Sequence, residues 1–203
     1  PIEGFYYTAV TEDIVLIYFN NGMHLIFEKS ERWFRLSHLQ WANNFTIGLN
    51  YNHIVQGQSH LSDVVIKHGE DEIAHLHAQW NLQNKIGQLI LLNNETDAEV
   101  LATYEYDQFG DLVTATTQDA HQYTYQYHKH LLTQYSDLTG RLLHLEWDGE
   151  GADARAYHEY AEGGNDESTL QWDENIRLTY VANAHGDETW YYYDYEGYNY
   201  RIV

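Results

Sequence analysis

The sequence predicts an all-β chain of successive antiparallel β-hairpins, and three observations carry that expectation. The 203 residues hold 19 Tyr, 6 Trp and 6 Phe against one Pro and one Met, and aromatic and β-branched side chains suit a pleated, half-buried surface. Five aromatic residues, Tyr106, Tyr127, Trp147, Trp172 and Tyr193, recur at intervals of 21, 20, 25 and 21 residues. That regularity is the mark of a repeating architecture rather than of five separate sites. In HQYTYQYHK, Tyr123, Tyr125 and Tyr127 fall on one face while Gln122, Thr124 and Gln126 fall on the other, the period of two that a strand demands.

Each of the five anchors opens a turn. Tyr104-Glu105-Tyr106-Asp107 leads to Gly110, Trp147-Asp148 to Gly151, and Tyr193-Asp194 to Gly197; Trp172-Asp173 and Tyr127-His128 are less complete copies. Asp at the first turn position can accept backbone N–H groups, and Gly supplies a positive φ. Seven residues ahead of the last four anchors stand Ala120, Gly140, Asn165 and Gly186, of which Gly and Asn tolerate left-handed backbone well. Each unit therefore reads as turn, strand, turn on the x-x-Gly, second strand, one hairpin per 20 or so residues. On this reading the anchors lie beside one another on successive hairpins, as an aromatic column bonding one repeat to the next.

Weaker copies extend towards the N-terminus. Asn44 stands seven residues before Tyr51, and Trp80 falls between Tyr51 and Tyr106. VLIYF at 15–19 and LILL at 89–92 are short apolar runs suited to buried strands. Residues 30–41 begin with a potential helix cap but fit a strand of the array equally well. The chain thus divides into divergent repeats over 1–100 and regular ones over 101–203.

Thirty-one acids against ten bases give a net charge of −21. Nucleic-acid binding requires a basic surface to displace counterions, so DNA and RNA are not expected partners. An anionic membrane is disfavoured on the same grounds, and no apolar run approaches the ~20 residues of a membrane-spanning helix. The acidity suits solubility, bound cations or a basic protein partner. No cysteine is present, which excludes disulfides and thiolate metal sites. The opening PIEGFYY carries neither an initiator Met nor a signal-peptide pattern and reads as a processed or excised start.

The aromatic-x-Tyr-Asp-x-x-Gly motif at this period resembles the YD repeats of Rhs-family proteins, which also occur in Tc-toxin shells and teneurins. The likeness is strongest over 142–194, where Glu146, Trp147, Asp148 and Gly149 precede Asp153-Ala154-Arg155 and then Gly163-Gly164, as in the Rhs core. Residues 1–100 resemble its less regular repeats. Departures are His128 for the motif Asp, Leu131 where Gly is expected, and Ala156 where relatives often carry Cys. The resemblance implies a YD-repeat sheet spiralling into a hollow shell around a C-terminal toxin domain. It further implies delivery in bacterial competition by type VI secretion, from the bacterial cytoplasm, in a secreted effector complex. This chain would be one arc of the wall, partnered by the rest of the shell and its cargo, with self-association through open strand edges.

No enzymatic constellation emerges. His75/His77 and His128/His130 place pairs of imidazoles on one strand face, as some metal sites do, but thirteen scattered His make chance pairs common. Asp148, Glu150 and Asp153 sit in a Gly-containing loop without the ligand order of an EF-hand, so solvated turns are expected there. Ser59, His60 and Asp63 offer triad residue types with no nucleophile elbow. The reading is a structural segment with no cofactor, no metal and no catalytic residue. The alternative is an aromatic-rich β module that binds glycans or a partner protein. The shell demands anchors buried between strands; the binding module demands an exposed aromatic stripe.

Overall fold

A computed structural model describes residues 5–9, 11–30, 32–94, 97–164, 166–196 and 199–202. The motif glycine Gly197, the turn residue Asn165 and Tyr198 lie outside the described residues. The fold is all-β and antiparallel, as the alternation and turn spacing lead one to expect, with one short 3-10 turn at Gly151–Asp153. Two compact units are distinguished, Pro1–Thr103 and Tyr104–Val203.

In the first unit β1 (Phe5–Ala9), β2 (Ile14–Phe19), β3 (Met23–Ser30), β4 (Trp33–Trp41) and β5 (Phe45–Asn50) pair in sequence order. A small hairpin, β6 (His53–Val55) with β7 (Gln58–His60), interrupts the series. β8 (Asp63–His68) then pairs back onto β5, and β9 (Asp71–Trp80), β10 (Ile86–Asn94) and β11 (Asp97–Tyr106) follow. Residues 33–41 are strand, so tertiary pairing overrides the potential helix cap before them. The apolar runs at 15–19 and 89–92 lie in β2 and β10, half-buried rather than enclosed.

The second unit continues the same construction through β12 (Leu112–Thr117), β13 (Gln122–His128), β14 (Leu131–Ser136), β15 (Leu142–Asp148) and β16 (Arg155–Ala161). It ends with β17 (Ser168–Asp173), β18 (Leu178–Asn183), β19 (Glu188–Glu196) and β20 (Asn199–Ile202). Each of these strands pairs antiparallel with the next.

A sheet buries a face only when a second layer packs on it. Here, among the described residues, the only buried apolar side chains are Ala78, Ala154, Ala161 and Leu178. Most strand side chains are half-buried on both faces. Cohesion therefore comes from backbone ladders and cross-strand contacts rather than from a central core.

Five hairpin turns share one design. The backbone N–H groups of Asn81, Asp107, Thr117, Asp137 and Asn183 each donate to the carbonyl four residues on, and that residue's own carbonyl accepts from the residue three ahead. The left-handed position is Asn84 (φ 58°), Gly110 (85°), Ala120 (64°), Gly140 (81°) or Gly186 (83°). In four of them an Asx oxygen caps the turn: Asp107 Oδ1 accepts from Phe109 N at 2.8 Å and Asp111 N at 3.0 Å. Asn81, Asp137 and Asn183 repeat that pattern. Ala120 alone carries a Cβ there without polar compensation, and L-residues resist this conformation by about 1–2 kcal/mol. Ala120→Gly is accordingly expected to stabilise by up to about 1 kcal/mol, and Gly140→Ala to destabilise by about as much. Nothing lies within 4 Å of a Cβ built on Gly140, so its cost is purely backbone. Urea melts of the two variants should shift in opposite directions.

Candidate functional site

The repeat-defining residues occupy alternate strands. Tyr104 and Tyr106 lie on β11, Tyr127 on β13, Trp147 on β15, Trp172 on β17 and Tyr193 on β19. The side-by-side aromatic column does not form, because a period near 20 residues contains two strands. Successive anchors are therefore two interstrand spacings apart, about 9.5 Å, with one strand between them.

What bridges that gap is a β-bulge. On β13–β14 the register jumps so that Gln126 faces Gln134 and Tyr127 faces Leu132, leaving Thr133 extra. On β15–β16 Glu146 faces His158 and Trp147 faces Ala156, leaving Tyr157 extra. On β3–β4 Ile26 faces His38 and Phe27 faces Leu36, leaving Ser37 extra. A bulge locally breaks the ladder, and here the next anchor takes up the backbone carbonyl beside it. Trp147 Nε1 donates to Leu132 O at 2.7 Å, Trp172 Nε1 to Ala156 O at 2.9 Å, and the Tyr51 hydroxyl to Leu36 O at 2.9 Å. Each acceptor is the residue opposite the preceding anchor. Tyr127, Leu132, Trp147, Ala156 and Trp172 thus form one continuous chain of contacts, and Phe27, Leu36 and Tyr51 form an equivalent one in the first unit. Trp80 makes a related bond to Leu61 O at 3.2 Å.

Arginine covers two of these rings. Arg35 lies 4.6 Å over Tyr51, and Arg155 5.5 Å over Trp172; each immediately precedes the residue whose carbonyl its ring's partner bond uses. Tyr106, Tyr127, Trp147 and Tyr193 are half-buried, whereas Trp172 is 41% exposed. Burial pushes the Tyr106 and Tyr127 hydroxyls above the ordinary tyrosine value. The anchors are neither fully enclosed nor an open stripe.

The residues after each anchor serve the turns. After Tyr127 a two-residue turn is made by Lys129 (φ 51°) and His130 (φ 68°), both left-handed as such hairpins require; no Gly is needed at Leu131. After Trp147 and Asp148 the chain turns through Gly149 (φ 86°) and Gly151 (φ 71°) into the 3-10 turn. After Trp172, Asp173 Oδ1 accepts from Asn175 N at 3.0 Å.

These turns are linked in series by ion pairs. His130 Nδ1 meets Asp111 at 2.9 Å, Lys129 meets Glu150 at 2.5 Å, Arg155 meets Glu174 at 3.3 Å, and Arg177 meets Asp194. Each joins residues at or near the anchor turn of one repeat to those of the next. Asp111 raises the pKa of His130, and Lys129 lowers that of Glu150. At the opposite strand ends Arg141 joins Asp137 to Asp166. Hydrogen bonds from Thr139 and Arg141 hold the Asp137 carboxyl down at about 2. Exposed pairs contribute little singly; their order shows where the few cations of an acidic chain are used.

The histidine pairs resolve differently from metal sites. Asp63 Oδ1 is 3.0 Å from His75 Nε2 and 2.8 Å from His77 Nδ1, and Asp63 Oδ2 accepts from Ser62 at 2.7 Å. Burial opposes ionisation of Asp63, but these bonds outweigh it and lower its pKa. Asp63 is thus engaged by Ser62, His75 and His77 rather than arranged as a triad with Ser59 and His60. Among the described residues no group of three or more His, Asp and Glu side chains could hold a metal ion.

His158 is clamped between carboxylates, with Nδ1 3.1 Å from Glu146 and Nε2 2.8 Å from Glu167, beside the rings of Tyr157 and Tyr160. Burial would lower its pKa; the two glutamates outweigh burial and raise it above 6.5. His158 therefore holds its proton more tightly folded than unfolded. Its stabilisation is complete below 6.5 and lost as pH rises through the raised value. Glu146, lowered from 4.5 chiefly by His158, contributes above 4.5 and loses its share as pH falls through its folded value. Melting temperatures followed upward from neutral pH should decline, and His158→Gln should remove part of that decline. An unchanged pH profile in the variant would show the clamp to be energetically silent.

No protein-family model matches the chain, and no curated protein does. Among solved structures it is similar to the crystal structure of TcdB2-TccC3-TEV, at 9% identity and a TM-score of 0.43 over 92% of this chain. It is also similar to the crystal structure of TcdB2-TccC3, at 10% identity and a TM-score of 0.33 over 89%. The chain spans 12% and 13% of the lengths of those chains.

Proposed function

We propose that this chain is a structural stretch of an Rhs/YD-repeat shell, non-catalytic, whose strands form wall around a C-terminal toxin domain used in bacterial competition. The observation that carries the reading is that Trp147 and Trp172 each bond the carbonyl opposite the anchor before, which makes those repeats continuations of one another. A wall needs such open-ended propagation and needs no core of its own. The motif wording over 142–194 supports the same reading. Export by type VI secretion, from the bacterial cytoplasm, follows from the resemblance and belongs to the proposal.

Electron cryomicroscopy of the polypeptide as its native gene encodes it is the test. A hollow particle with residues 1–203 in its wall is expected; a solid domain, or a segment standing outside any enclosure, would overturn the reading. A wall segment also has strand edges that seek partners. The isolated chain is therefore expected to self-associate in concentration-dependent light scattering, and a strict monomer at high concentration would count against open edges.

A further inference from the structure

One face of β16–β19 carries a groove of about 480 Å³, bordered by Arg155, Leu170, Trp172, Thr179, Val181 and Tyr191 among others. Its shape follows from the register. Trp172 faces Thr179, which faces Tyr191, so one small buried residue separates two rings that are each 41% exposed. Two strand spacings set those rings about 9.5 Å apart at the backbone. The next row, Leu170 opposite Val181, continues the apolar lining. The volume is within the range of ligand-binding clefts.

Two polar groups at this groove are already committed. Trp172 Nε1 donates to Ala156 O, and Arg155 pairs with Glu174 while stacking on Trp172. A sugar is held by free donors and acceptors around a stacking ring, and here the indole N–H and the guanidinium beside it are spent; an apolar side chain needs neither. Beyond Trp172 the character reverses. The same ring borders a second hollow whose lining includes Asp173, Glu174 and Asn175. Over residues 166–196 the sequence places eight acids against one base, Arg177, and Arg177 is paired with Asp194.

The geometry points to a peptide-docking site in which Trp172 and Tyr191 receive an aromatic or branched aliphatic side chain of a partner polypeptide whose neighbouring residues are Lys or Arg. Apolar insertion supplies the contact, and the acidic surround selects the flanking charge. This holds independently of the shell reading, since it rests on one face of four strands.

The test uses the whole 203-residue chain and the probe acetyl-Lys-Leu-Phe-Lys-Lys-amide, followed by the Trp172 indole N–H resonance and by calorimetry. Its acidic counterpart, with Glu for every Lys, and a basic probe with Ser and Gly for Leu and Phe should each bind at least about tenfold more weakly. Val181→Asp should weaken the parent probe by at least about tenfold. Tyr191→Ala, at a more exposed position, should weaken it several-fold and decides the matter if Val181→Asp melts early. Equal binding of the acidic probe, no response at Trp172, or affinity untouched by Tyr191→Ala overturns the proposal. So does cellohexaose shifting the same indole resonance where the peptide does not, or self-association of the chain that Tyr191→Ala abolishes.

Discussion

Leu178→Ala is expected to destabilise the second unit by about 3 kcal/mol, within the range of about 2–5 for leucine truncated in a packed site. Leu178 is 1% exposed and is the largest fully buried side chain among the described residues. It opens β18, facing Asp173 on β17 and Tyr192 on β19, beside the buried Thr179. Tyr193 N donates to Arg177 O one residue away, so the backbone around Leu178 is fixed and has little freedom to collapse into the space left. A molecule with so few enclosed apolar groups has little to redistribute when one is lost. Leu138→Ala, at a turn residue 71% exposed, should change stability by less than about 0.5 kcal/mol. Urea denaturation followed by tryptophan fluorescence compares the two, and similar small losses would show that no cooperative core surrounds Leu178.

Nothing in the sequence marks Leu178 as special. It follows Arg177 in a stretch, ENIRL, with no motif residue, and its burial depends on which strands flank it. The anchors and turns are legible for the opposite reason. A Gly or Asn at a left-handed turn position, or a Tyr at every second residue of a strand, reports a local constraint that the residue type itself satisfies. Hence Asp107–Gly110, Gly140 and Gly186 can be read directly, and so can the strand character of 122–128. The bulges cannot. Ser37, Thr133 and Tyr157 share only a hydroxyl, which is common along the chain, and the groups that the anchors bond are backbone carbonyls, which carry no sequence signal. Phe27 was missed for that reason: it lacks a following Asp and Gly, and only the Ser37 bulge puts it in the position of Tyr127 and Trp147. A faint signal did exist in the arginines, since Arg35 precedes Leu36 as Arg155 precedes Ala156. The expected cross-strand pairing of anchors overlooked that the second strand of each hairpin stands between one anchor and the next.

Trp147→Ala tests that corrected geometry, with an expected loss of about 2–3 kcal/mol. A fully buried tryptophan would cost about 3–5, but Trp147 is half-buried, so less apolar area is returned to water. Two separable contributions make up the effect. The ring packs where β15 pairs with Ala156, and its Nε1 donates to Leu132 O at 2.7 Å. Trp147→Phe keeps much of the first and abolishes the second, and a single neutral hydrogen bond contributes about 0.5–1.5 kcal/mol. The phenylalanine variant should therefore lie about 1 kcal/mol below the wild type and clearly above the alanine variant. Because Trp147 also faces Ala156, whose carbonyl accepts from Trp172, its removal should loosen both neighbouring hairpins. Hydrogen exchange at Leu132 and Ala156 in Trp147→Ala should accelerate together, while Ala182, on β18, should change least. Faster exchange at Leu132 alone would reduce the contact chain to independent pairs. Equal stability of the phenylalanine variant and the wild type would show that the Leu132 carbonyl is satisfied as well by water, and that packing alone joins one repeat to the next.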